Sequence, residues 1–383
     1  MSIETLKILL LTGYYLPGYK GGGPIKTVSN LVNATSDVMQ YSIVTSDRDL
    51  GDKRPYSSVN IGQWNQRENN FVYYTGSGPR GLIQIAKIIL KRDYHIIYLN
   101  SFFSLRFSII PLLIARFLGK SIILAPRGEF SKGALSFKAL KKKVYILFFK
   151  LFSLKNITFQ ASSIFEENDI KKVFGEKAKI FIAENIGSQN YAKNLAPKDK
   201  SVLKIAFLSR ISPIKNLTYA LKVLSKIKKS IQFDIYGPLE DKTYWQECQD
   251  IIENMPENIK VNYKGQLNPN MVVDTLSEYD LFFMPTQGEN YGHVIAEALC
   301  AGLPLLIADT TPWRDLQEKG IGWDISLNES EEFINAINSV SDMTVEEHYE
   351  LRKHVLSWAE NKFSQRDNIK QNIAMFRYAF ENK

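Results

Sequence analysis

Apolar runs of five or six residues recur along the chain, each bounded by turn residues and followed by a stretch with helical spacing. Lys7–Leu11 (KILLL) and Leu203–Leu208 (LKIAFL) open the two halves of the chain in the same way. Continuous apolar runs of this length read as parallel strands buried on both faces. Further strands are predicted at 41–45, 71–74, 95–99, 121–125 and 157–160, and then at 231–236, 260–263, 280–284 and 303–308. Helical patterns intervene at 24–35, 81–92, 102–118, 136–152, 163–174, 215–229, 241–254, 269–277, 292–301 and 329–340. This alternation, run through twice, predicts an α/β protein of two doubly wound domains. The pattern breaks near 185–202, where Asn185, Gly187, Pro197 and a lysine-rich stretch interrupt it. The domains are therefore expected at 1–185 and 186–362. A last helix at 364–382, within the segment 363–383, lies beyond the second alternation and is expected to pack back on the first domain.

Composition narrows the class. A chain of 383 residues exceeds what one core usually holds, which agrees with two domains. With 45% apolar and 23% charged residues, it is not disordered, collagenous or a many-span membrane protein. Two cysteines, Cys248 and Cys300, exclude a disulfide framework and a cysteine-rich zinc module. The opening MSIETLKILLLTGYY has too short an apolar stretch for a secretory leader, so a cytoplasmic protein is expected.

The net charge of +8 is unevenly spread. Up to residue 195 there are 27 Lys and Arg against 13 Asp and Glu, and beyond it 21 against 27. A basic front half suits an anionic partner. Residues 102–118 carry Arg106, Pro111 and Arg116, so they read as a core helix and not as a membrane span of about 20 clean apolar residues. Residues 138–155 combine Lys138, Lys141, Lys142, Lys143, Lys150 and Lys155 with Val144, Tyr145, Ile146, Leu147, Phe148, Phe149 and Phe152. Such a helix either lies in a lipid interface or covers the sheet with a solvated lysine edge, and both readings stay open.

Three clusters carry candidate chemistry. Gly21-Gly22-Gly23-Pro24 lies between the first strand and the first helix, where bare backbone and a helix N-terminus suit a phosphate. Arg210 and Lys215 straddle the turn after strand 203–208, at the strand end where α/β sheets bind ligands. A guanidinium and an ammonium together suit a diphosphate. The third cluster is Glu289-Asn290-Tyr291-Gly292-His293-Val294-Ile295-Ala296-Glu297. Its two carboxylates can face one groove as hydroxyl acceptors, while Tyr291, Gly292 and His293 present backbone N–H groups at the start of the next helix. Nothing nearby completes a metal coordination sphere, so no metal is predicted.

Arg210-x4-Lys215 followed by Glu289-x7-Glu297, with Glu-Ala-Leu and Gly302-Leu-Pro after it, resembles glycosyltransferase family 4. The early glycine loop and Asn185-Ile-Gly extend the resemblance over essentially the whole chain. It implies the GT-B fold, two Rossmann-like domains facing across a cleft, and a metal-independent transferase that retains anomeric configuration.

Residue by residue, Arg210 and Lys215 match the pair that holds the donor diphosphate. Glu289 matches the first glutamate, on the donor sugar's hydroxyls, and Glu297 the second, on the nucleotide ribose. Gly22 and Gly23 match the phosphate-covering loop. Gly265 and Gln266 match the strip along the base, and Tyr291, Gly292, His293 and Val294 complete the donor-binding set. Many members carry a histidine after the strand matching 121–125. This chain has Ala125-Pro126-Arg127-Gly128-Glu129 there, and Arg127 and Glu129 are the acceptor-side candidates in its place.

The resemblance implies a nucleotide-sugar donor, for which a UDP-sugar is expected ahead of a GDP-sugar, while residues 138–155 and the basic front half suggest a hydroxyl of a lipid-diphosphate-linked glycan as acceptor. The setting implied is polysaccharide, capsule or O-antigen lipopolysaccharide synthesis at the inner face of the cytoplasmic membrane. Docking there would use residues 138–155, with no cofactor and no nucleic acid. The alternatives are a GT-B sugar-nucleotide epimerase and a non-enzymatic basic protein that binds nucleic acid or membrane. Asp47-Arg48-Asp49 spells the metal-binding D-x-D of the other glycosyltransferase fold. Here it reads as a solvated loop.

Overall fold

The structure, a computed structural model, describes residues 5–382 except 92, 137–138, 151–155, 188–189, 200 and 365. The chain divides into two units. The first is Met1–Ile186 with Arg366–Lys383, and the second is Gly187–Gln365.

The first unit is built on strands β1 (Leu6–Leu11), β2 (Met39–Ser46), β3 (Trp64–Arg67), β4 (Asn70–Thr75), β5 (Ile96–Leu99), β6 (Ser121–Leu124), β7 (Ile157–Ala161) and β8 (Ile180–Ile182). They lie in the order β3-β4-β2-β1-β5-β6-β7-β8, every pair parallel except β3 with β4. Alternate residues of β1 serve opposite faces, as the pleat requires. Ile8 and Leu10 join a core with Val28, Leu31, Met375 and Phe376, from the helices Gly23–Thr35 and Asp367–Glu381. Leu9 and Leu11 pack on the other face with Ile85, Ile88, Leu112, Phe149 and Ile170. Those residues come from the helices Gly78–Leu90, Ile110–Phe117, Ala139–Lys150 and Ile164–Phe174. Covering both faces is why the strands read as unbroken apolar runs.

Several local expectations need correcting. The helix predicted over 102–118 is a π-helical turn at Leu105–Ile109 running into Ile110–Phe117, and Pro111 sits just after the junction of the two. The helix predicted over 136–152 is described as Lys132–Ser136 and Ala139–Lys150. Lys138 and residues 151–155 of the basic segment lie outside the described residues. The aspartates of Asp47-Arg48-Asp49 are not solvated, because both are buried. Asp49 Oδ2 accepts the backbone N–H groups of Tyr19 (2.7 Å) and Lys20 (2.9 Å), and Asp47 is paired with Arg48. The Asp49 carboxylate thus anchors the chain just ahead of Gly21–Gly23. No helix among the described residues is long and apolar enough to cross a membrane.

The second unit holds β9 (Leu203–Leu208), β10 (Ile231–Tyr236), β11 (Ile259–Gly265), β12 (Leu281–Met284), β13 (Leu305–Ala308) and β14 (Gly322–Ile325). The order is β11-β10-β9-β12-β13-β14, parallel throughout. The helix predicted at 215–229 is a short turn, Pro213–Lys215, then Leu217–Leu224, separated by Asn216 in the left-handed region (φ 58°). A 20-residue helix, Val345–Ser364, was not foreseen.

Candidate functional site

In the second sheet β9 and β12 are neighbours at the centre, and the chain leaves them in opposite directions, toward β10 and β11 or toward β13 and β14. Loops that follow two such strands diverge and leave a crevice at the C-terminal sheet edge. The two loops here, 209–216 and 285–292, are also tied together. Gln287 N–H donates to the Ile214 carbonyl (2.8 Å), Thr286 Oγ1 donates to the same oxygen (3.0 Å), and Asn216 Nδ2 reaches the Pro285 carbonyl (3.0 Å). The left-handed Asn216 that ends the short helical turn therefore also fixes where Lys215 points.

This frame brings Lys215 and Glu289, 74 positions apart in sequence, into an ion pair between Nζ and a carboxylate oxygen. Their side chains are only 11% and 16% exposed. A cation and a carboxylate held at the end of a parallel sheet can serve different parts of one ligand. The ammonium suits a diphosphate, and the carboxylate suits sugar hydroxyls. Arg210 does not join them. It is exposed and pairs with Glu240 at 2.5 Å.

Beyond Glu289 the chain turns through Gly292 (φ 78°) into the helix His293–Cys300. A Cβ at Gly292 would lie 2.8 Å from Ile295 Cδ1, so conformation and space both call for glycine. Glu297 is buried within this helix. Tyr291 packs against His293, with ring centroids 4.8 Å apart, and Val294 is half-buried. Gly265 ends β11 with φ 77° and its carbonyl accepts the Gly237 N–H (2.8 Å); Gln266 follows directly. Trp313, from the loop after β13, donates Nε1–H to the Tyr291 carbonyl at 2.5 Å. No spacing signal points to Trp313, because only folding brings it to Tyr291.

In the first unit Gly22 (φ 63°) caps the helix Gly23–Thr35, with Pro24 in its first turn. Arg127 (φ 56°) ends on neutral partners. Its Nε donates to Asn100 Oδ1 (2.7 Å), Nη1 to Asn185 Oδ1 (2.6 Å), and Nη2 to the Tyr98 hydroxyl. Glu129 accepts the N–H groups of Phe102 (2.5 Å) and Phe103 (3.1 Å) and the Ser101 hydroxyl (2.8 Å). Burial pushes its pKa up against those hydrogen bonds. Both acceptor-side candidates are thus engaged in tying their loop to neighbouring segments. Among the described residues no group of three or more His, Cys, Asp and Glu is placed to hold a metal ion.

Residues 189–361 match the family described as Glycosyl transferases group 1. Anabaena HepE, solved in complex with UDP-glucose, aligns over 97% of this chain and 99% of its own, at 17% identity and a TM-score of 0.69. Sucrose-phosphate synthase from Thermosynechococcus elongatus aligns over 99% and 100%, at 14% identity and a TM-score of 0.73. The fold is GT-B. A glycosyltransferase from Rickettsia africae shares this GT-B likeness over 99% and 100%, at 13% identity and a TM-score of 0.67. By sequence, an uncharacterized 41.2 kDa protein in the cps region of Klebsiella pneumoniae is 22% identical over 250 residues. That alignment takes in 63% of this chain and 66% of the relative, just short of two thirds of its length.

Proposed function

We propose that the protein is a retaining, metal-independent glycosyltransferase of family 4 that moves a sugar from a nucleotide diphospho-sugar to an acceptor hydroxyl. The observation that carries this reading is the Lys215–Glu289 pair at the centre of the second sheet's C-terminal edge, inside the segment that matches group 1 glycosyltransferases. Lys215, with Arg210 beside it in sequence, neutralises the diphosphate as the bond from anomeric carbon to phosphate oxygen breaks. Glu289 accepts the sugar's hydroxyls, and Glu297 the ribose hydroxyls. Gly265 and Gln266 edge the base, with Tyr291, Gly292, His293 and Val294 lining the sugar end. The acceptor oxygen forms its bond on the face the nucleoside diphosphate leaves, and the acceptor's proton passes to a departing phosphate oxygen. Gly22 and Gly23 offer a helix N-terminus to phosphate, and Arg127 and Glu129 are the candidates in the place of the family histidine.

A UDP-sugar is the first choice of donor, which the UDP-glucose bound by Anabaena HepE supports. The cps-region relative supports a role in surface polysaccharide. Incubation with UDP- and GDP-sugars and a lipid-diphosphate glycan in the presence of EDTA, followed by nucleoside diphosphate release and product NMR, tests the reading. Release with one donor class and a retained anomeric configuration are expected. Absence of release with every donor contradicts it.

The acceptor is proposed to be membrane-borne. Helix Ala139–Lys150 exposes Leu140, Val144, Leu147 and Phe148, spaced four, three and one apart along one side. Lys141 and Lys150 are exposed on the same helix. Lys142 is engaged elsewhere, donating to the Ala134 carbonyl (2.6 Å). An apolar stripe with flanking lysines suits an anionic leaflet, each lysine contributing about 1 kcal/mol. Replacing Lys141 and Lys150 with glutamate is expected to release the protein from anionic liposomes in a flotation assay, and undiminished flotation removes the proposal.

A further inference from the structure

The glutamate-to-glycine turn that begins the helix His293–Cys300 is braced from behind by a residue the proposed function does not use. Trp313 is buried in the loop after β13, and its own N–H donates to Thr311 Oγ1 (3.2 Å). Its indole Nε1–H donates to the Tyr291 carbonyl (2.5 Å), and the Tyr291 and Trp313 rings lie 5.7 Å apart. The Phe363 ring meets the indole edge-to-face, with ring centroids 6.1 Å apart. The indole position is thus fixed by backbone, rings and hydrogen bond together.

A trans peptide is planar, with its carbonyl and the next residue's N–H pointing in opposite directions. Because the Tyr291 carbonyl is held on Trp313, the Gly292 N–H points away from Trp313. The site needs that polarity, since a flipped plane would turn a carbonyl toward the ligand where an N–H belongs, and an anionic diphosphate repels a carbonyl oxygen. Glycine makes the flip cheap. Gly292 already has φ 78° and carries no side chain to resist rotation of the plane before it. A turn that needs glycine for its shape needs something else to fix its peptide, and Trp313 is the group in contact with it.

We propose that Trp313 is a positioning residue that locks the Tyr291–Gly292 peptide with its N–H turned toward the donor's diphospho-sugar. This rests on the donor-site reading above. Trp313 touches no reacting atom. It acts through one backbone plane and therefore bears on the diphospho-sugar end of the donor and not on the nucleoside end.

Trp313→Phe keeps an aromatic ring and removes the N–H. Calorimetric titration with UDP and with uridine monophosphate, on wild type and variant, separates the possibilities. The expected result is UDP affinity roughly tenfold weaker in the variant, as for one charge-assisted hydrogen bond lost. Uridine monophosphate affinity should be unchanged, and kcat should fall with the sugar donor more than KM rises. Trp313→His, which keeps a ring N–H on the same side, should recover part of the UDP affinity. Equal weakening for both nucleotides means that Trp313 is only a prop for the fold and overturns the proposal, as does unchanged UDP affinity in a variant that binds like wild type. A wild-type protein that binds neither nucleotide overturns the donor-site reading itself, and this inference with it.

Discussion

The two sheets repeat one topology and use its central edge differently. In the second unit β9 and β12 part at the centre, and the loops beyond them hold a cation and a carboxylate, Lys215 and Glu289, paired with each other. In the first unit β1 and β5 part in the same way, but the groups at their ends are sewn to one another. Asn100, after β5, donates to Thr12 Oγ1 (3.3 Å), after β1, and accepts from Arg127. Arg127 in turn holds Asn185, and the Tyr98 hydroxyl sits on Gln160 Oε1 (2.6 Å). Gln160 Nε2 then reaches the Ala183 carbonyl (3.0 Å) and Asn372 (3.3 Å) of the C-terminal helix. One edge carries two opposite charges that a ligand could divide between its own anionic and hydroxyl groups. The other is a cage in which the cation Arg127 is satisfied by neutral amide and hydroxyl groups. Shared topology supplies a place for a ligand, and the residues decide whether the place is used for binding or for stability.

The largest effect should come from the charged edge. Lys215→Ala is expected to lower turnover about a hundredfold, the scale for losing one electrostatic stabiliser. It also strands Glu289, which is mostly buried, at a cost of about 2–3 kcal/mol. The double variant Lys215→Ala with Glu289→Ala should therefore lose less stability than the sum of the single changes, because the pair is coupled. Urea denaturation of the three variants measures the coupling, and simple additivity would mean that the ion pair does not form.

Two arginines then sharpen the contrast. Arg127→Ala should destabilise the first unit by about 2–4 kcal/mol, because Asn100, Asn185 and Tyr98 lose their common donor. Arg210→Ala, at an exposed pair, should change stability by no more than about 0.5 kcal/mol while weakening nucleotide binding. Melting curves and titrations on both variants check this exchange of roles. A stability loss at Arg210 matching that at Arg127 would erase the distinction.

The smallest effect concerns acid. His348 is buried with Nε2 on the Asp280 carbonyl (3.0 Å), and burial holds its pKa down at about 4 from 6.5. Its contribution to stability is present above pH 6.5 and is lost as pH falls through about 4. Asp280 works the other way. Burial raises its pKa to about 6 from 3.8, so its contribution is present below about 3.8 and is lost as pH rises through about 6. His348→Gln removes the first term and keeps the second. Wild type should therefore lose more Tm than the variant between pH 6.5 and 4, and parallel curves would contradict the assignment.

Much of the fold is legible in the sequence because parallel strands buried on both faces leave unbroken apolar runs. Three strands escaped that signal. β3 (Trp64–Arg67) is an antiparallel edge strand with three polar residues, β8 has three residues, and β14 begins on Gly322. The helix Val345–Ser364 was hidden for a different reason. Its buried positions 348, 352, 355, 359 and 363 keep helical spacing, but the first two are His348 and Arg352, so no apolar stripe shows. Arg352 is accommodated there by the carbonyls of Ala196 (2.8 Å), Ser277 (2.7 Å) and Gly302 (3.1 Å).

At the candidate site, place at a strand end and spacing mark Arg210, Lys215, Glu289 and Glu297, and the family resemblance supplies their expected roles. Spacing could not reveal that Arg210 turns to Glu240, or that Glu129 spends its oxygens on the Phe102 and Phe103 amides. Nor could it reveal that both D-x-D aspartates are buried, with Asp49 anchoring the chain ahead of the glycine loop and Asp47 paired with Arg48. Side-chain partners depend on tertiary neighbours that no local pattern encodes.

On the reading proposed above, a nucleoside diphosphate binds at the charged edge of the second sheet. The most direct test of that reading is a calorimetric titration of UDP, GDP and ADP, with and without EDTA, into wild type, Lys215→Ala and Arg127→Lys. EDTA-insensitive binding of one nucleotide to wild type, its loss in Lys215→Ala and its persistence in Arg127→Lys are expected. Binding that survives Lys215→Ala unchanged, or that no nucleotide shows with wild type, would contradict the reading.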